Sequence, residues 1–234
     1  MAGPAGTRAI GPALALLVLA VLFAGLGLWQ VQRLGWKNRL IAATDAAIHA
    51  APIDVANLPP GDLSLLVYRR LAMTGHFVPA GTTLVTGTSS LGTGYWELVP
   101  LVNDRARTVM VNRGFLAEGS RIAAARAQVP VGSVHVEGLL RLTEPGGTWL
   151  RANRPTENRW YSRDIAGIAN ARGVPVDPRL FIDSAVETPA PGPDAPVPGL
   201  TVIAFPNNHL GYALTWFTLC LMATGGAVML MRRR

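Results

Sequence analysis

Two stretches without a charged residue, Ala9 to Gln32 and Leu210 to Met231, decide what this chain can fold into. A helix needs roughly 20 apolar residues to cross a bilayer. Each stretch is long enough, and no third one is. An α+β membrane protein is therefore expected, with two transmembrane helices flanking a mostly antiparallel β extramembrane domain. The expected division is a cytoplasmic N-terminus at 1–9, a first span at 10–32, a periplasmic mainly-β domain at 33–206, a second span at 207–231 and a cytoplasmic C-terminus at 232–234. Charged residues make up only 15% of the chain, below the soluble average of about a quarter.

The first run is long for a cleaved secretory signal, and no small-x-small cleavage site follows it. Instead the chain continues "GLWQVQRLGWKNRL", with Trp29 and Trp36 bracketing the exit as in an interfacial aromatic belt. An uncleaved anchor is expected. Only "MAGPAGTR" precedes the run, too little for a mitochondrial transit peptide. Arg8, Arg232, Arg233 and Arg234 stand at the terminal ends, against Arg33, Lys37 and Arg39 beyond the first span. The positive-inside rule tilts toward cytoplasmic termini, with the triple arginine as its firmer part. The long middle segment then lies outside the cytoplasm and suffices for a core of its own.

The one cysteine, Cys220, lies inside the second run. No intramolecular disulfide or paired-thiol chemistry is open to the chain. The net charge of +7 suits solvated surface and anionic lipid headgroups. The arginines form no basic helix, so nucleic acid is not an expected partner. GxSxG, HExxH, P-loop and dinucleotide fingerprints are absent. His49, His76 and His135 stand far apart without metal-ligand spacing. No enzyme is expected.

Between the spans, "WKNRLIAATDAAIHA" continues the anchor helix, and the proline-rich "APIDVANLPPGD" ends it. Strand-like segments follow: "LLVYRRLAMTGHFV", bending at Gly75, then "TTLVTG", "GYWELVPLV", "RTVMVNRGF", "SVHVEGLLRL", "RLFIDSA" and "LTVIAF". Short turns between them suggest an antiparallel sheet or open barrel. "RDIAGIANAR" is the one expected soluble helix, and "VETPAPGPDAPVPG" reads as an exposed loop. In "VNRGF", Arg113 either pairs with an acid of the fold or docks a partner. "RANRPTENRWYSRDI" suits a docking surface or a well-ordered loop.

The stretch "FPNNHLGYALTWF" sets a histidine at the mouth of the second span. Asn207 or Asn208 can cap a helix there, which puts His209 in its first turn. At about 100° per residue His209, Tyr212, Ala213, Trp216 and Cys220 share one face, and Gly25, Trp29, Gln32 and Trp36 share one on the first span. Antiparallel spans bring Trp29 and Gln32 to the depth of His209 and Tyr212. Two readings stay open. A lone interfacial histidine bonds to headgroups or a loop; a flat aromatic slot with one imidazole accepts a porphyrin whose iron takes an axial histidine.

Seven blocks in order, "GLWQVQRLGWKNRLI", "YRRLAMTGHF", "GYWELVPL", "VMVNRGF", "VEGLLR", "NRPTENRWYSRDIAGIA" and "NNHLGYALTWF", resemble the Surfeit locus protein 1 family over nearly the whole chain. The absent transit sequence and the Ala-, Gly-, Pro- and Arg-rich composition point to a bacterial member. The resemblance implies a cytochrome c oxidase assembly protein of the bacterial inner membrane. Such a protein binds haem a and helps insert it into oxidase subunit I, alongside other assembly factors. It implies His209 as iron ligand, with Tyr212, Trp216 and Trp29 against the ring. Arg33, Lys37 or Arg113 are expected at the propionates. The rival expectation is a haem-free scaffold holding subunit I.

Overall fold

The structure, a computed structural model, describes residues 10–232. The expected cytoplasmic ends 1–9 and 233–234, with Arg8, Arg233 and Arg234, lie outside the described residues. The described residues divide into two compact units, 10–43 with 204–232, and 44–203.

The first unit is a helix pair. Helix α1 runs unbroken from Ile10 to His49, and α4 from His209 to Arg232. Both are long and apolar enough to cross a membrane. Only 17% and 11% of their apolar windows are buried, whereas the core helix of a soluble protein would hide most of its apolar surface. Non-exposed positions on α1 recur at Ala13, Leu16, Ala20, Phe23, Gly27, Gln30 and Leu34. On α4 they recur at His209, Ala213, Trp216, Cys220, Ala223 and Ala227. Alternating steps of three and four mark a coiled-coil seam, and small residues there let helices approach closely in lipid. His209 meets Gln30, Trp216 stacks on Phe23 with centroids 5.7 Å apart, and Leu16 lies at Gly226. The helices are therefore antiparallel.

The second unit is built on a mixed seven-stranded sheet, mostly antiparallel. Its strands are β1 (Ile53–Asp54), β2 (Arg70–Phe77), β3 (Thr83–Ser89), β4 (Gly92–Val102), β5 (Thr108–Ala117), β6 (Ser133–Leu142) and β7 (Leu180–Thr188). They lie in the order β1-β2-β6-β7-β5-β4-β3, and a short β2–β4 pairing brings the sheet round on itself. The β1–β2 and β5–β7 pairs are parallel. One core, including Leu71, Met73, Val99, Leu101, Val111, Val136 and Ile182, fills one face. The second, around Trp96, Met110, Phe115 and Phe181, is covered by Trp160 and by Ile165 and Ile168 of helix α3 (Ile165–Arg172). A further short helix, α2, spans Ile122–Ala127.

Three expectations change. Helix α2 adds to the single helix expected in this domain. "LTVIAF" forms no strand and leads as irregular chain toward α4. The proline-rich loop is not wholly free, because Val197 exchanges both backbone hydrogen bonds with Phe115.

Candidate functional site

The segment before α4 explains how His209 is placed. The Asn208 carbonyl accepts from Tyr212 N at 3.3 Å, so Asn208 stands at the helix start. Asn207 Oδ1 has no partner among the described residues, and its Nδ2 donates to Asn38 Oδ1 on α1 at 2.7 Å. Lys37 lies over the Phe205 ring, 5.3 Å from its centroid. These contacts fix the first turn of α4 against α1. His209 is half-buried on the seam, with Nδ1 2.7 Å from Gln30 Oε1.

The face expected on α1 is not the one that meets α4. Gly25, Trp29, Gln32 and Trp36 are exposed, whereas Gly27 and Gln30 are buried. The reason is packing. A Cβ on Gly27 would stand 2.6 Å from Phe217 Cε1, so the helices close over the glycine. At the level of Gly27 there is no room for an indole, and interfacial aromatics favour the lipid boundary instead. Trp216 alone of the three expected aromatics turns toward the partner helix, against Phe23. Trp29 is 54% exposed and Tyr212 56% exposed.

Stepping about 100° per residue from the Gln30–His209 contact puts Trp29, Arg33, Trp36 and Tyr212 on one flank of the seam. Gly27 and Phe217 lie on the other. Arg33 stacks over Trp36, 4.0 Å from the ring centroid, which concentrates charge and aromatic surface on the first flank. Helices joined by a direct side-chain hydrogen bond leave no gap for a flat macrocycle between them. The slot between helices is not what these residues build. The donor does fit an axial ligand, because one imidazole nitrogen is held and the ring is half-open beside an aromatic flank. Among the described residues no group of three or more His, Cys, Asp or Glu is arranged to hold a bare metal ion.

Arg113 is not available to a propionate. Its side chain is buried in the β domain, where Nη1 donates to Glu97 Oε2 at 2.9 Å and Nη2 to Glu187 Oε2 at 3.0 Å. The sequence "RG" builds this. Glu97 faces Gly114 and Leu98 faces Asn112, so Arg113 is the extra residue of a β-bulge, a device that re-aims a side chain. Gly114 takes φ 141°, and a Cβ there would meet the Val197 carbonyl at 2.4 Å.

The "RANRPTENRWYSRDI" segment is an ordered loop. Asn153 Oδ1 accepts from the backbone of Tyr161 and Ser162. Asn158, at φ 52°, accepts from Trp160 Nε1 and from Arg172. Arg154 pairs with Glu157, Arg163 pairs with Glu144 through two nitrogens, and Asp164 caps α3. Beside it lies a cleft of about 480 Å³ lined by residues including Trp96, Glu144, Tyr161 and Arg163.

Sequence reasoning missed Gln30. Its signal was an amide in phase with Ala13, Ala20 and Gly27, the small residues of the seam.

The sequence model of the SURF1 family matches residues 17–221. Surfeit locus protein 1 of Mus musculus is 35% identical over 222 residues, covering 88% of this chain and 70% of that protein. The Homo sapiens protein of the same name is 32% identical over 222 residues, covering 87% and 72%. A SURF1-like protein of Monosiga brevicollis is 34% identical over 235 residues, covering 94% and 87%.

Proposed function

The chain belongs to the SURF1 family, and from that premise we propose that it assists assembly of cytochrome c oxidase as a membrane-bound carrier of haem a. The cargo is held through His209 and passed to oxidase subunit I, with other assembly factors attending. The chain is placed in a bacterial inner membrane, crossing it twice, with the β domain in the periplasm. The observation that carries this reading is His209 itself: the histidine of the "NNHLGYALTWF" block, half-buried at the start of an apolar helix and fixed by the partner helix through Gln30.

A carrier needs a ligand strong enough to acquire its cargo and weak enough to yield it. One imidazole meets that need better than a closed pair would. The Trp29, Tyr212 and Arg33 flank offers aromatic surface and a cation for the macrocycle and its carboxylates. Trp216 supports the helix carrying His209 rather than facing that flank. No bond of the cargo is made or broken by these residues.

The test uses cells lacking this chain and carrying it back as wild type or His209→Ala. The carrier reading expects the His209→Ala protein to co-purify with subunit I while the assembled oxidase stays short of haem a. Full haem a content with His209→Ala would favour the haem-free scaffold.

A further inference from the structure

We propose that Gln30 is the positioning residue of His209, locking its neutral imidazole in the tautomer that carries the proton on Nδ1 and leaves the lone pair on Nε2. Gln30 is 8% exposed and stands in the apolar run of α1, one turn from Gly27. A buried amide in a lipid-embedded pair is costly unless it is hydrogen-bonded. Its Oε1 lies 2.7 Å from His209 Nδ1. In this orientation of the amide the oxygen only accepts, so Nδ1 must donate. A free neutral histidine prefers the other tautomer, with its proton on Nε2 and no lone pair there to offer. The contact therefore decides which nitrogen faces a ligand, in the manner of outer groups that orient metal-bound histidines.

Position supports the same assignment. Gln30 and His209 occupy facing seam positions, and the helices close over Gly27 and stack Trp216 on Phe23 just below. That packing fixes how the two helices face each other, and with it the approach of Gln30 to His209. Between Asn207–Asn38 on one side and Phe23–Trp216 on the other, the imidazole is clamped in depth as well as in tautomer. The bearing of this lock on cargo capture rests on the proposed function; the tautomer itself does not.

The experiment is nitrogen NMR of the histidine-labelled full chain in lipid nanodiscs without haem. It is run about two pH units above the ordinary histidine value of ~6.5. His209 is assigned by its loss in His209→Ala. The wild type is expected to show the Nδ1–H form. Gln30→Glu, which keeps an accepting oxygen, is expected to retain it. Gln30→Met, similar in size but without that oxygen, is expected to move His209 toward Nε2–H. A wild-type His209 protonated on Nε2 overturns the proposal, as does a Gln30→Met protein that keeps Nδ1–H.

Haem A titration of the same samples separates the two readings. Gln30→Met is expected to weaken uptake about 10- to 100-fold, and His209→Ala to abolish it. Should the tautomer follow Gln30 while His209→Ala takes up haem like the wild type, the positioning role stands and the ligand role of His209 falls.

Discussion

At the scale of single residues the β domain carries one arginine against two buried acids. Arg113 joins Glu97 on β4 to Glu187 on β7, with the Phe77 ring 5.2 Å from its guanidinium carbon. Burial pushes the Glu97 carboxyl up to about 7, opposed by Arg113 and reinforced by the negative charge of Glu187. Among the described residues Glu97 Oε1 has no hydrogen-bond partner, as expected where one cation serves two acids. The folded value lies above the ordinary 4.5. The stabilising contribution of protonated Glu97 is therefore complete below about 4.5 and lost as pH rises through about 7. Thermal melting of the full chain in detergent should fall between those values and then level off. Glu97→Gln should flatten that stretch of the profile. Arg113→Met strands two buried carboxylates and is expected to cost roughly 3–5 kcal/mol, read as a lowered denaturation midpoint.

At the scale of elements the helix pair depends on small residues. Extending the Gln30–His209 and Phe23–Trp216 register sets Cys220 level with Ala20. With Cys220 the one native cysteine, Ala20→Cys should cross-link to it through a short thiol reagent, and Val21→Cys, on the exposed side, should not. Gly27→Ile forces a branched side chain against Phe217; overpacking of this kind costs about 1–3 kcal/mol. Added to Ala20→Cys, it should lower the yield of that cross-link to Cys220. An unchanged yield would count against the close seam. The spans were legible in the sequence because charge-free length is a property of the run itself. Their facing sides were not, because Trp29 and Trp36 are the bulkier residues at that level while close helix packing uses the small Ala13, Ala20 and Gly27. Most strands were legible from alternation. "LTVIAF" was not, since β-branched composition says nothing of whether a partner strand is present.

At the scale of the whole molecule, the chain joins two helices long and apolar enough to cross a membrane to a β domain. His209 was legible as a candidate because a histidine at the mouth of an apolar run stands out. Arg113 was legible as a choice between two roles, and only the bulge opposite Glu97 decides for the fold. Gln30 stayed hidden because its partner is distant in sequence. The proposed carrier depends on the helix pair holding one imidazole for one iron beside an aromatic flank. The most direct check is the optical spectrum of the full chain purified from cells that make haem A, as wild type and as His209→Ala. A Soret band is expected in the wild type that His209→Ala loses while its β domain melts normally. A colourless wild type, or an equal band in His209→Ala, would contradict it.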